Sequence, residues 1–157
     1  MTTTLRPNWT RVLQQALAGG IAGAVIVDLY LWFTVLLPSH GTLLAKWQSE
    51  AQAALGPAAS THPVYAWIGL VVHFVVSIGW AGGYAYFAQT QTFVNARWLV
   101  SGLVYGGVVY VMTELLLLGA HMFVFPPTPL DFLNQVVAST VFFGVPVAYT
   151  VARMSRA

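Results

Sequence analysis

Four long apolar windows constrain this chain more than any other feature of its sequence. A membrane helix needs about 20 mostly apolar residues to cross about 30 Å of hydrocarbon. Windows that meet this requirement cover residues 12–37, 64–88, 98–120 and 130–152. Their apolar runs are continuous rather than alternating, which favours helices over the strands of a barrel. The sequence therefore predicts an all-α polytopic integral membrane protein, a four-helix bundle forming one domain over residues 1–157.

The composition excludes several other classes of protein. Charged residues make up 6% of the chain, whereas a soluble domain carries about 25%, so a water-soluble monomer is excluded. The hydrophobic fraction of 58% is too high for a disordered chain. A net charge of +2 with scattered basic residues gives no basic patch for nucleic acid. The absence of cysteine excludes disulfides and thiolate metal sites.

The basic residues predict an orientation in the membrane. Lys46 lies in the first long loop, and the other basic residues all fall on the opposite side of the predicted bundle: Arg6, Arg11, Arg97, Arg153 and Arg156. Because cytoplasmic loops are rich in Lys and Arg, both termini are expected in the cytoplasm of a prokaryotic-type plasma (inner) membrane.

The first long loop contains a short amphipathic segment at residues 41–55. Apolar side chains recur there at helical spacing, with Lys46 and Glu50 among the polar residues between them, and Gly56 and Pro57 end the pattern. We expect a short outer helix that lies on the membrane surface or caps the bundle.

Small residues are spaced for close helix packing in three of the four windows. Each of these windows carries one Gly-xxx-Gly (GxxxG) step: Gly19/Gly23, Gly79/Gly83 and Gly102/Gly106. Such steps let membrane helices approach closely. They predict packing within one bundle or, as the alternative, a homo-oligomer interface.

Each window also places its most polar side chain in the half that lies away from the cytoplasm. These side chains are Asp28, His73, Glu114 and Asn134. An ionisable group inside a membrane is costly when it faces lipid, so it suggests a functional site with a nearby partner. The sequence predicts a polar cavity that opens away from the cytoplasm.

Helical phase extends this predicted site. Ser77 shares a helix face with His73, while Tyr110 and His121 share a face with Glu114. The predicted partners are Asp28 with His73 and Glu114 with His121. The alternative is structural, since a protonated carboxyl can simply bond a neighbouring helix. Pro146 is expected to kink the fourth span.

One stretch resembles a known family. The run His73-Phe-Val-Val-Ser-Ile-Gly-Trp-Ala-Gly-Gly-Tyr84 is similar to the H-x3-S-I-x2-A-x-G-Y run of the YagU-like inner-membrane proteins, and the similarity covers about residues 60–150. Those proteins generally carry His in the third span, where this chain has Glu114. The resemblance implies an inner-membrane helical bundle with a suggested link to acid tolerance, and it supplies no mechanism.

Two main classes of function stay open from the residues alone, beside a third, a membrane-embedded enzyme. In the first, Asp28, His73 and Glu114 bind or conduct a proton, a divalent metal ion or a small polar solute. Haem is less suited, because no second interior His matches the height of His73. In the second, the chain is a structural or accessory subunit of a larger membrane complex. No catalytic motif supports an enzyme.

Overall fold

A computed structural model describes residues 7–119 and 128–156 of the chain. Four apolar helices are long enough to cross a membrane: span one (Trp9–Leu36), span two (Tyr65–Thr90), span three (Trp98–Gly119) and span four (Pro129–Arg156). A connecting helix, Leu43–Leu55, lies between spans one and two. Two short elements complete the list, a 3-10 turn at Pro57–Ser60 and a helical turn at Thr92–Ala96. The predicted all-α polytopic bundle is confirmed.

The ends of the helices follow from local side-chain chemistry. Asn8, Thr42 and Thr128 each accept a hydrogen bond from a backbone N–H three residues later, which satisfies a donor that the first turn leaves open. Pro129 follows its cap directly, in a position where no backbone N–H is needed. At the other end of the connecting helix, Gly56 adopts a φ of 88°, a conformation that favours glycine.

Spans one and four each contain a π-helical segment. Span one ends in Trp32–Leu36, and span four changes to a π-helix over Ala138–Gly144 before Val145–Arg156 continues as an α-helix. Pro146 lacks a backbone N–H, and its ring crowds the carbonyl four residues earlier. A π-helix is wider than an α-helix, so the segment before Pro146 gives that ring room. A kink is expected at Pro146, and the structure has a π-helical segment just before it.

The pairs of neighbouring helices differ in how extensively they pack against each other. Span one lies against both span two and span four, and span three packs along span four. The connecting helix packs along span two. Within the described residues, spans two and three lack comparable packing along their length, so the bundle is most open between these two helices.

Glycines form the tight contacts with span four. Gly19, Gly23, Gly102 and Gly106 are buried. A Cβ on Gly23 would lie 2.8 Å from the Phe143 ring, and one on Gly102 would lie 2.8 Å from the Ala148 methyl. These distances are shorter than ordinary contacts. Four of the six predicted packing glycines thus lie at contacts between helices.

The glycine step in span two behaves differently. Gly79 and Gly83 are exposed, and among the described residues no atom lies within 4 Å of where a Cβ on Gly79 would be. A Cβ on Gly83 would lie 3.1 Å from the Tyr105 hydroxyl. The expected close packing is therefore missing at Gly79, because span two buries Ala81 and Ala85 instead.

Candidate functional site

Four ionisable side chains from three helices form one contact group, which we call the ion cluster: Asp28, Lys46, Glu50 and His73. Asp28 comes from span one, His73 from span two, and Lys46 and Glu50 from the connecting helix. The Lys46 ammonium lies 2.8 Å from Asp28 Oδ1 and also contacts Glu50 Oε1. Because Asp28 is 6% exposed, its charge is compensated inside the protein rather than by water.

The imidazole of His73 lies between the two carboxylates of the ion cluster. Its Nε2 is 3.4 Å from Asp28 Oδ1, and its Nδ1 is 3.3 Å from Glu50 Oε1. A neutral imidazole carries one N–H, so it can donate to both carboxylates only in its protonated form. Nε2 also forms a hydrogen bond of 3.4 Å with the Ala24 carbonyl, so its contact with Asp28 is ionic. Both ring nitrogens thus lie beside a carboxylate.

Trp47 anchors the connecting helix beside this group. Its indole N–H donates to Asp28 Oδ2 at 3.1 Å. Span two comes so close that a Cβ on Gly69 would overlap the Trp47 carbonyl. Ala51, one turn further along, is fully buried. The site therefore depends on a glycine in span two that lets the connecting helix approach.

Electrostatics favour the charged form of Glu50. Burial raises the pKa of its carboxyl, but the contacts and positive charges of His73 and Lys46, taken together, outweigh burial. The pKa of Glu50 therefore lies below its ordinary value of 4.5. A carboxyl with a lowered pKa stabilises the fold above its unfolded-state pKa, and this stabilisation disappears as the pH falls through the lower folded value.

We accordingly expect acid to remove the contribution of Glu50 to stability. Wild type should unfold at a higher temperature than Glu50→Gln above pH 5, and the difference should shrink as the pH falls below 4.5. Thermal unfolding of both proteins in detergent across this pH range measures the difference in unfolding temperature. A constant difference at every pH would show that the ionisation of Glu50 does not stabilise the fold.

A cavity of about 330 Å³ adjoins the ion cluster. Lys46, Glu50 and His73 form part of one wall, and Tyr110 and Glu114 of span three belong to its lining as well. The remaining lining residues come from all four spans: Val27, Leu31, Val76, Ser77, Trp80, Val109, Thr113, Gln135, Ala138, Ser139 and Phe143. The volume falls within the range of about 300–1,000 Å³ that is usual for small-molecule sites.

The structure brings together most of the residues that the sequence singled out. The expected partnership of Asp28 with His73 is present, and Ser77, Tyr110 and Glu114 share the cavity with His73. Glu114 forms no ion pair with any residue that the structure describes. Its predicted partner, His121, lies outside the described residues. The carboxylate–histidine site thus has two parts, with the ion cluster beside the cavity and Glu114 in the lining.

Asn134 takes a different place from the one expected. Its side-chain oxygen accepts a hydrogen bond of 3.0 Å from the Tyr30 hydroxyl, and the Tyr30 ring stacks on Phe142. These contacts join spans one and four, and Asn134 is not part of the cavity lining. Asn134 is therefore a contact between helices rather than a lining residue of the site.

The predicted metal site finds no support in residues 7–119 and 128–156. No group of three or more His, Asp or Glu side chains there is arranged to hold a metal ion. The Lys46 ammonium lies between the carboxylates of Asp28 and Glu50. It occupies the place that a metal ion bound by these two groups would need. Asp28, His73 and Glu114 do not form the predicted ligand set.

Three site residues were missed at the level of sequence: Lys46, Trp47 and Glu50. The amphipathic pattern placed Lys46 and Glu50 on a solvated face, yet in the structure this face turns toward the bundle. Leu44 and Leu55 are about half exposed instead. The spacing of Lys46 and Glu50, one helical turn apart, was the available signal for an ion pair.

A second polar network, also missed, lies near the chain termini. Gln15 is fully buried and donates to Ser155 Oγ at 2.9 Å. Gln89 donates to Gln15 Oε1 at 3.1 Å and accepts from the Asn8 backbone N–H at 2.8 Å. These bonds connect spans one, two and four at the end of the bundle opposite the ion cluster.

Comparisons with known proteins found no match for this chain. The chain matches no family model, and neither a curated protein nor a solved structure matches it. The resemblance to the YagU-like proteins therefore stays a prediction.

Proposed function

We propose that this chain binds or conducts a proton or a small polar solute within the membrane, using the ion cluster and the adjoining cavity. The observation that carries this proposal is the contact of ionisable side chains from three helices beside one cavity, whose lining includes Lys46, Glu50 and His73. Ionisable groups within membrane spans are costly, and they commonly mark ion pathways and proton relays. His73 supports a relay in particular, because each of its ring nitrogens faces a carboxylate.

Infrared spectroscopy tests the proton-binding part of this proposal. Burial disfavours the charged form of a carboxyl, and a neighbouring imidazolium favours it. In His73→Ala, no imidazolium opposes the effect of burial on the carboxyls. The C=O band of the protonated carboxyls should therefore persist to higher pH than in wild type. Asp28→Asn and Glu114→Gln should each remove part of the band.

The matched control is His62→Ala, which removes an exposed imidazole from the loop before span two. This variant should titrate like wild type. If His73→Ala also titrates like wild type, the carboxyls are isolated contacts between helices, and the ion cluster does not bind protons as a unit.

The chain also has a proposed orientation in the membrane. We place the chain in a prokaryotic-type inner membrane with both termini in the cytoplasm and the ion cluster in the outer half, and we propose a relationship to the YagU-like proteins. Support comes from the distribution of Lys and Arg between the loops. Trp47 and Trp67, near the proposed outer end of the bundle, fit an interfacial position.

Cysteine labelling checks this orientation, since the chain has no cysteine of its own. Ser49 and Thr92 are exposed and lie at opposite ends of span two. Ser49→Cys should react with an impermeant maleimide on intact cells, and Thr92→Cys should react only after permeabilisation. The reverse pattern would place the ion cluster on the cytoplasmic side.

A specific observation favours the second candidate function, that of an accessory subunit or homo-oligomer. Gly79 and Gly83 expose a small-residue face of span two that another membrane helix could approach closely. In native membranes treated with an oxidant, the introduced thiols of two Gly79→Cys copies should then form a disulfide-linked homodimer, whereas Val100→Cys on an exposed face of span three should not. Equal cross-linking of both variants would count against a specific partner at Gly79.

A further inference from the structure

One lining residue of the cavity is exposed on the outside of the bundle, near the middle of span two. Val76 belongs to the cavity lining and is 49% exposed. It is the twelfth of 26 residues in span two, and the lining residue Tyr110 is the thirteenth of 22 in span three. The mouth therefore lies between the two spans that pack least along their length, at a depth where the surrounding medium is hydrocarbon.

The site has an excess of negative charge when its carboxyls are ionised. Asp28, Glu50 and Glu114 supply three carboxylates, whereas Lys46 supplies one positive charge and His73 at most one more. The excess remains in either form of the imidazole. A bound cation would restore neutrality, and an anion would add to the imbalance.

Hydrogen-bond acceptors in the site lack donors. Glu50 Oε2 is buried and has no hydrogen-bond partner among the described residues, although a buried acceptor of this kind normally has one. Glu114 supplies a second carboxylate to the cavity lining. The aromatic residues Trp80 and Tyr110 are also part of this lining, and aromatic rings attract organic cations.

We propose that this site binds an amphiphilic amine, an organic ammonium ion with an apolar body, which enters from the lipid between spans two and three. The ammonium group donates to Glu50 and Glu114, and the apolar body lies along the valine, alanine and phenylalanine side chains of the cavity. This inference rests on the proposed function, because it names the solute class of the same site.

Calorimetric titration of the detergent-solubilised protein tests the ligand class with four probes. 2-Phenylethylammonium combines both features, 2-phenylethanol lacks the charge, 3-phenylpropanoate reverses it, and ethylammonium lacks the apolar body. Hydrogen bonds between charged groups are stronger than neutral ones, and burial of the phenyl ring adds a hydrophobic contribution that ethylammonium lacks, so 2-phenylethylammonium should bind at least about tenfold more tightly than each other probe. Equal binding of the alcohol or of ethylammonium would overturn the proposal.

Two carboxyl variants locate the binding. Glu114→Gln should weaken 2-phenylethylammonium about tenfold or more and leave 2-phenylethanol unchanged. Asp131→Asn, which removes a carboxylate beside the Thr128 cap and outside the cavity lining, should bind like wild type. Unchanged amine binding in Glu114→Gln would place the amine elsewhere and refute the assignment.

Entry from the lipid has its own test in proteoliposomes. Val76→Phe narrows the mouth and should slow association of 2-phenylethylammonium by about tenfold. Val75→Phe adds the same ring at a neighbouring exposed position outside the lining and should leave association unchanged. If both variants associate at the wild-type rate, the lateral route is wrong.

The experiments distinguish failure of the amine assignment from failure of the proposed proton-binding function. If no amine binds while His73→Ala still shifts the carboxyl titration, the ion cluster binds protons and the amine assignment is refuted. If amine binds in wild type but Glu114→Gln and Val76→Phe change nothing, the amine occupies another surface and this inference is equally refuted.

Discussion

Gly69→Ala should displace the connecting helix and disrupt the ion cluster. A Cβ at this position would overlap the backbone carbonyl of Trp47, and backbone cannot move aside as a flexible side chain can. Overpacking typically costs about 1–3 kcal/mol. Displacement of the connecting helix would also separate Lys46 from Asp28. This increases the loss of stability, because breaking a buried ion pair costs about 3–5 kcal/mol. Thermal unfolding in detergent should show a clear loss of stability.

Gly79→Ala is the matched control in the same helix. No described atom lies within 4 Å of its added methyl group, and alanine favours helix over glycine by up to about 1 kcal/mol. This variant should unfold at or above the wild-type temperature. If the two variants have equal stability, the close approach of the connecting helix to span two is not important for the fold.

Lys46→Met should destabilise the protein by about 3–5 kcal/mol. The ammonium is largely buried between Asp28 and Glu50, and methionine fills a similar volume without its charge. Both carboxylates would then lose their main positive partner in a region that water reaches poorly. For a chain of this size, each kcal/mol shifts the unfolding temperature by about 2–4 °C, so thermal unfolding can measure the loss.

A combined variant separates charge from packing. Adding Asp28→Asn and Glu50→Gln to Lys46→Met removes the unpaired charges while keeping side chains of similar size. Replacing all members of a buried ion pair is often nearly neutral, so the triple variant should recover most of the stability. A triple variant as unstable as Lys46→Met would show that the loss comes from packing. Arg97→Met, at an exposed position, controls for the loss of a positive charge.

The spans could be predicted closely from hydropathy, since the length of an apolar run is set by membrane thickness. The largest difference lies at the end of span four, predicted at residue 152 and observed at Arg156. The contact of Asp28 with His73 could also be predicted, because both residues occupy the same half of the bundle and few polar partners exist there.

The placement of the connecting helix could not be predicted in the same way. Its amphipathic pattern is compatible with either face toward the bundle, and the usual preference would put Lys46 in water. The deciding contacts involve Gly69 and Asp28, which are distant in sequence. A pattern within one helix carries no information about the partner that will neutralise its charges.

The packing of Gly79 shows a similar limit. Spacing alone identifies small residues, but rotation of the helix decides which of them meet a neighbour. In span two, Ala81 and Ala85 are buried while Gly79 is exposed. Glycines outside the Gly-xxx-Gly steps provide other close contacts, such as Gly20 against the backbone of Ile78.

The ion cluster also constrains the order of events during synthesis. Asp28 leaves the ribosome before Lys46, and His73 follows later still, so span one meets the membrane before its ionic partners exist. An isolated carboxylate in a membrane helix costs up to about 2.5–3.5 kcal/mol on insertion scales, the full cost applying at the helix centre. Stable insertion of span one is therefore completed only when the connecting helix and span two arrive. A truncated nascent chain that ends before Lys46 lacks the ionic contacts that stabilise Asp28 in the membrane.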